Sequence, residues 1–235
     1  MFKYFLTAVG LVFSLCACSD SDKHTNVNWD YGTGSNVDIT NNTRTEFFRK
    51  GKLIYADTYA GGGAGGLLSE RISGQQYYWA GGGGLPINGI DVPDKALVEM
   101  VSLFDRKRYR IIVELPADLG EQMQKRYRVG GKIDQRNWLY FGLAPGGYYE
   151  VLLKADKLLV KPDLLINRGI AVEVNDDWRD KMIPIIKQYD ASLAEFEKKY
   201  GDLYKKHPIP TGMEWAPIMD AYRAKQPKTD QHPIK

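Results

Sequence analysis

The sequence predicts an α+β fold: a single domain with an antiparallel β-sheet of hairpins, a short connecting helix, and a C-terminal amphipathic helix packed on the sheet. Three observations carry this. Tyr109, Ile111, Val113 and Leu115 alternate with Arg108, Arg110 and Glu114, the period of two that a half-buried strand requires. Ala144-Pro145-Gly146-Gly147 separates two aromatic and branched runs, with Pro and Gly at the central positions of a type II turn. Met182, Ile185, Ile186, Tyr189, Leu193, Phe196 and Tyr200 recur at steps of three and four, one face of a helix. Strands first and helices after place the class as α+β.

Taken in order, residues 45–59 read as two strands with a turn at Lys50-Gly51-Lys52, and 75–80 as a short aromatic strand. Residues 97–104 are apolar on both faces apart from Glu99 and Ser102, and turn at Asp105-Arg106 into the alternating strand. A helix over 117–128 links this hairpin to the next, whose arms are 138–143 and 148–154. Further strands are expected at 157–160 and 169–174. In the late helix Pro184 suits the first turn, Glu195 and Lys199 stand at the supportive i,i+4 spacing, and Gly201 is expected to end it.

The first residues are of another kind. Met1-Phe2-Lys3 leads into a run from Tyr4 to Leu15 without charge, followed by polar Ser19-Asp20-Ser21-Asp22. That run is too short for a membrane span, which needs about 20 apolar residues, and has the form of an export signal. Leu15-Cys16-Ala17-Cys18 resembles the bacterial lipobox, which implies lipid attachment at Cys18 and a fold tethered to a membrane. The expected division is a signal peptide at 1–17, a lipidated tether at 18–26, one domain at 27–225 and a flexible tail at 226–235. Ser19 in place of aspartate after the lipidated cysteine implies the outer membrane, facing the periplasm. A plain secretory signal cut elsewhere is the alternative. A redox or zinc pair is disfavoured, because one residue separates Cys16 from Cys18 and the chain has no other cysteine.

Loss of Lys3 with the signal leaves 31 of the 32 basic residues against 29 acidic ones, a balance that does not point to nucleic acid. Gly61-Gly62-Gly63-Ala64-Gly65-Gly66 contains G-x-G-x-x-G, but residues 67–74 are short and rich in Ser and Gly. No helix is expected there to receive a pyrophosphate, so no cofactor is assigned. The chain has three histidines, and no G-x-S-x-G or H-E-x-x-H, so no catalytic residue is assigned and no metal site is expected. Asp176-Asp177 before Trp178 reads as a helix start or turn. What remains is a surface. Tyr77, Tyr78 and Trp79 stand between two glycine runs, and Arg106, Arg108 and Arg110, joined by Lys107, Lys125, Arg126 and Arg128, form a basic cluster. Tyr77, Tyr78, Trp79, Arg106, Arg108 and Arg110 are the candidate partner-binding residues, and the cluster reads as a docking patch for an acidic partner or for lipid headgroups; its plainer reading is a solvated strand edge protected from pairing.

The order of three stretches completes the reading: "LPINGIDVPDKALVEMVSLFDRKRYRIIVELP" from Leu85, "FGLAPGGYYEVLL" from Phe141 and "HPIPTGMEWAPIMDAYR" from His207. Together with the lipobox and the glycine-rich segment they resemble a bacterial lipoprotein family known as domain of unknown function number 2931. Tyr148-Tyr149 departs from the more apolar residues often found there. The resemblance brings no catalytic residues. Members, or lipoproteins much like them, look like periplasmic immunity proteins that neutralise type VI secretion lipase effectors, which implies a non-enzymatic protein-binding module. An envelope structural or assembly lipoprotein would use the same anchor. An enzyme on envelope polymers would need carboxylates gathered around Trp138 or Trp215.

Overall fold

The computed structural model describes residues 27–57, 68–80, 85–155, 157–175 and 185–234. The lipobox with Cys18, the glycine runs at 61–66 and 81–84, the Asp176-Asp177-Trp178 step, Met182 and Pro184 lie outside the described residues. In chain order the strands are β1 (Trp29–Gly34), β2 (Thr40–Arg49), β3 (Lys52–Asp57), β4 (Leu85–Ile87), β5 (Lys95–Ser102) and β6 (Lys107–Glu114). They continue with β7 (Arg126–Val129), β8 (Lys132–Ala144), β9 (Tyr148–Ala155), β10 (Leu164–Ile170) and β11 (Val172–Glu173). The helices are α1 (Leu68–Gly74), α2 (Leu119–Gln124), α3 (Ile185–Gln188), α4 (Asp190–Lys206) and α5 (Trp215–Ala224).

The class is α+β, and the strands divide into two sheets. One has the order β10-β9-β8-β1-β4, with β7 also paired to β8; the other is β11-β6-β5-β2-β3. Among the described residues, every pairing between these strands is antiparallel except β1 with β8. Alternation explains why two sheets form. Val98, Met100, Tyr109, Ile111 and Val113 of the second sheet share one buried cluster with Trp29, Tyr31, Leu139, Phe141, Val151 and Leu153 of the first. The opposite face of β8 and β9 is apolar as well. Tyr140, Ala144, Tyr148 and Leu152 pack with Leu193, Phe196, Tyr200 and Tyr204 of α4 and Trp215 and Met219 of α5. The first sheet is therefore buried on both sides, and its central strands read as nearly continuous apolar runs.

The register defines two ends. At the near end the chain enters β1 and two hairpins turn, at Lys50-Gly51 and Gly130-Gly131. At the far end lie the β5–β6 turn and the Pro145-Gly146-Gly147 turn, joined where the Gly146 N–H donates to Asp105 Oδ2 at 2.8 Å. Gly146 has φ 79° and ψ 16°, the second central position of a type II turn. A Cβ there would lie 2.2 Å from the Gly212 nitrogen, so glycine is required twice over.

Several expected elements differ. Residues 76–79 form no strand; only Ala80 pairs, in a bridge to Ser35. Residues 157–160 form none because Asp134 takes the N–H groups of Leu159 and Val160 that a ladder would need. The helix expected over 117–128 is α2 alone, since Tyr127 and Val129 turn one face inward and 126–129 pairs with β8. Residues 68–74, expected to be irregular, are helical, with Leu68 and Ile72 buried. Gly201 lies inside α4, which continues to bury Tyr204. The strand expected over 169–174 is split between β10 and β11 as the chain passes from one sheet to the other. Residues 226–234 run back along the molecule: Thr229 bonds Lys161, Asp230 pairs with Arg136, and the Ile234 N–H donates to the Arg126 carbonyl.

Candidate functional site

The segment after α1 is held by its last aromatic residue. Trp79 is buried, stacked on Tyr148 with ring centroids 6.4 Å apart, and its Nε1–H donates to Glu150 Oε2 at 2.7 Å. Glu150, wholly buried on β9, also accepts the Tyr148 hydroxyl at 2.6 Å and an Arg223 N–H from α5. Arg223 continues to Asp220, which Arg168 of β10 meets at 2.9 Å. Burial, then the bond to Glu150, pushes the Tyr148 phenol well above its ordinary range, so it stays a donor. One carboxylate thus ties the loop, the sheet and α5 together, and Trp79 belongs to the interior.

Tyr77 and Tyr78 precede that anchor and stay half-buried. Tyr77 meets the edge of Trp215 at 5.0 Å; Tyr78 lies 6.4 Å from Tyr222 and beneath the Arg71 guanidinium at 5.0 Å. Between them and Pro217, Ile218, Ala221 and Tyr222 of α5 runs an open, mainly apolar groove of about 570 Å³. Gln75, Gln76 and Lys225 give its rim polar groups.

The basic cluster is divided. Arg106 is exposed at the far-end turn, with φ 57°, and Lys107 pairs with Glu173 at 2.8 Å. Arg108 and Arg110 turn to the outer face of β6, around Glu99, which is wholly buried. Glu99 faces Arg110 across the β5–β6 ladder at 2.7 Å, with Arg44 of β2 at 3.6 Å and Arg108 at 3.9 Å. The cluster's centre is therefore a counter-charge to a buried acid, a role the alternation alone does not reveal. Lys125, Arg126 and Arg128 lie at the near end, away from Arg106.

Two more buried charges escaped sequence reasoning. Asp38, between β1 and β2, accepts the Ser102 hydroxyl at 2.5 Å and the N–H groups of Ile39 and Phe104 at 2.6 and 3.0 Å. Burial outweighs these bonds and raises its carboxyl to about 7. Lys154, 6% exposed on β9, lies 4.8 Å from the Trp138 ring centroid and 4.3 Å from that of Tyr140. Burial lowers its amine to about 8. Trp215 gives its Nε1–H to the Pro145 carbonyl at 3.2 Å, and the neighbour across the ladder from Trp138 is this lysine rather than a carboxylate. Among the described residues, no three of His, Cys, Asp and Glu gather closely enough to hold a metal ion, and no helix is long and apolar enough to cross a membrane.

Residues 17–212 match a family described as a protein of unknown function (DUF2931). The chain belongs to that family. The DUF2931 match takes in β1 to α4, Glu99, Glu150 and Lys154; α5, with Arg223 and one wall of the groove, follows it. No curated protein and no solved structure matches the chain.

Proposed function

We propose that the protein is a lipoprotein held through Cys18 on the periplasmic side of the outer membrane, and that it works as a non-enzymatic module binding another protein. Its most concrete form is an immunity protein that neutralises a type VI secretion lipase effector. The observation that carries the binding reading is the groove between Tyr77 and Tyr78 and the exposed side of α5. Rigid tyrosines beside an apolar floor with a polar rim, here Gln75, Gln76 and Lys225, are the arrangement in which protein interfaces concentrate their energy. The groove starts beside Trp215 at the far end, opposite to where the tether leaves the fold. An anchored molecule can thus present it to the periplasm.

The test is co-purification of the full chain with the product of the neighbouring gene, read by co-elution and by that product's lipase activity. A stable complex with inhibited activity is expected. Tyr78→Ala and Ile218→Asp are each expected to weaken it at least tenfold, about 1.4 kcal/mol, with the fold unchanged by circular dichroism. Absence of binding, or binding indifferent to both substitutions, overturns the reading.

A further inference from the structure

The near end has a chemistry of its own. In the parallel β1–β8 register Asp30 pairs with Trp138, so Lys132 to Asp134 lie beyond the point where the chain enters β1. The β7–β8 hairpin therefore projects past the root of the tether. On and beside it Lys125, Arg126, Arg128, Lys132 and Lys157 are exposed, and the Lys157 amine reaches back to the Ile133 carbonyl at 3.2 Å. The hairpin's own acid does not offset them: Asp134 is 4% exposed and accepts the N–H groups of Gln135, Leu159 and Val160. Among the described residues, the exposed acids on this side are Asp118 and Glu121, on α2 and the residue before it, and Glu114, which pairs with Lys95 at 2.9 Å; Asp156, next to Lys157, lies outside the described residues.

Two large apolar side chains accompany the cations. Leu158 is 52% exposed at φ 58°, in the bend that packs against Asp134, and Ile234 is 40% exposed where its N–H meets the Arg126 carbonyl. Cys18 stands nine residues before Val27, so covalent geometry keeps this end within about 30 Å of the anchored sulfur.

We infer that the β7–β8 hairpin is a membrane-surface contact, its cations on anionic phospholipid headgroups and Leu158 and Ile234 at the headgroup boundary. This deepens the lipoprotein reading and rests on it. A basic patch beside an acyl anchor adds a second, salt-sensitive attachment. Docked this way, the molecule stands with its near end on the bilayer and turns Arg106 and the tyrosine groove outward.

The test uses the full chain, purified from bacterial membranes and reconstituted into phosphatidylcholine vesicles with or without phosphatidylglycerol. A fluorophore is placed at Lys132→Cys or at exposed Met213→Cys on the far side, and quenching by brominated acyl chains is read. With phosphatidylglycerol, position 132 is expected to be quenched roughly twofold or more above position 213, a contrast erased by high salt and by Arg126→Glu with Arg128→Glu. An anchored protein whose two positions quench alike, or whose contrast ignores phosphatidylglycerol, overturns the docking and leaves the anchor standing. A protein recovered without lipid in the soluble fraction overturns both. Recruitment of the hairpin by an acidic protein rather than by lipid would show as the same flat contrast in protein-free vesicles.

Discussion

Glu150 and Lys154 lie on the same face of β9, with Leu152 between them, and both are buried. Glu150 meets three donors, from a tryptophan, a tyrosine and an arginine. Lys154 meets two aromatic faces, and among the described residues no oxygen accepts a hydrogen bond from it. The difference separates two uses of buried charge. A carboxylate given its full set of donors fixes how a loop and a helix sit on a sheet. An ammonium held by ring quadrupoles and by the more distant charge of Asp163 recovers only part of its lost hydration and remains a strain on the fold.

The comparison breaks first at Glu150. Glu150→Gln sets an amide N–H against partners that are all donors and leaves Arg223 without its buried counter-charge. A loss of about 3–5 kcal/mol in denaturant unfolding is expected. A loss below about 1 kcal/mol would mean that Trp79, Tyr148 and Arg223 find other partners, and the network would not be what holds α5.

Asp38 sharpens the comparison as a third case: an acid supplied only with neutral donors. Its carboxyl, raised to about 7, keeps its proton in the folded state where the unfolded chain has released it. The contribution is full below about pH 4 and is lost as pH rises through about 7. Asp38→Asn keeps an oxygen for the two N–H groups and an amide for the Ser102 hydroxyl, and should remove that decline. Above pH 7 the variant is expected to exceed the wild type by on the order of 3 kcal/mol in chemical unfolding. Equal pH profiles for the two proteins would show that Asp38 ionises normally.

How these centres escaped the sequence follows from what periodicity reports. The β5–β6 and β8–β9 hairpins were legible because their alternation and their Gly-containing turn are local signals. β1 was not, because "WDYGTG" gives up strand propensity for close packing. A Cβ on Gly32 would lie 2.8 Å from Trp138 Nε1, and one on Gly34 would lie 2.3 Å from the Tyr140 hydroxyl. α5 had a readable start in the Thr211 and Glu214 capping box, which is formed in the structure. Arg108 and Arg110 were rightly placed on the face opposite Tyr109. Their target was hidden because Glu99 meets them only once the strands pair. Of the candidate site, Tyr77 and Tyr78 could be picked out as aromatic residues between glycine runs, while nothing local in the sequence marks α5 as the wall that faces them.

Removing the charge of Lys154 is then expected to act in the opposite direction to removing that of Glu150. Its amine, lowered to about 8, is deprotonated in the folded state while the unfolded chain still binds the proton. Stability therefore rises between about pH 8 and 10.5 and is lowest with the lysine charged. Lys154→Met keeps the length of the side chain between the two rings without the charge, and is expected to stabilise the protein at neutral pH by on the order of 2 kcal/mol while flattening the alkaline rise. A destabilised variant would mean that the cation–π contacts outweigh the desolvation.

The smallest effect tests whether burial, rather than distance, decides these outcomes. Lys107 meets Glu173 at 2.8 Å and Arg110 meets Glu99 at 2.7 Å, nearly the same separation. The Lys107 and Glu173 side chains are 45% and 42% exposed, whereas Glu99 is wholly buried. Water screens the first pair and already solvates each partner alone; removing Arg110 leaves a buried charge with part of its compensation gone. Lys107→Ala should leave the melting temperature unchanged at any salt concentration. Arg110→Ala should lower it clearly, with little relief from salt. Equal shifts for the two variants would show that the outer face of β6 is wetter around Glu99 than its burial implies, and that the arginines there serve the surface after all.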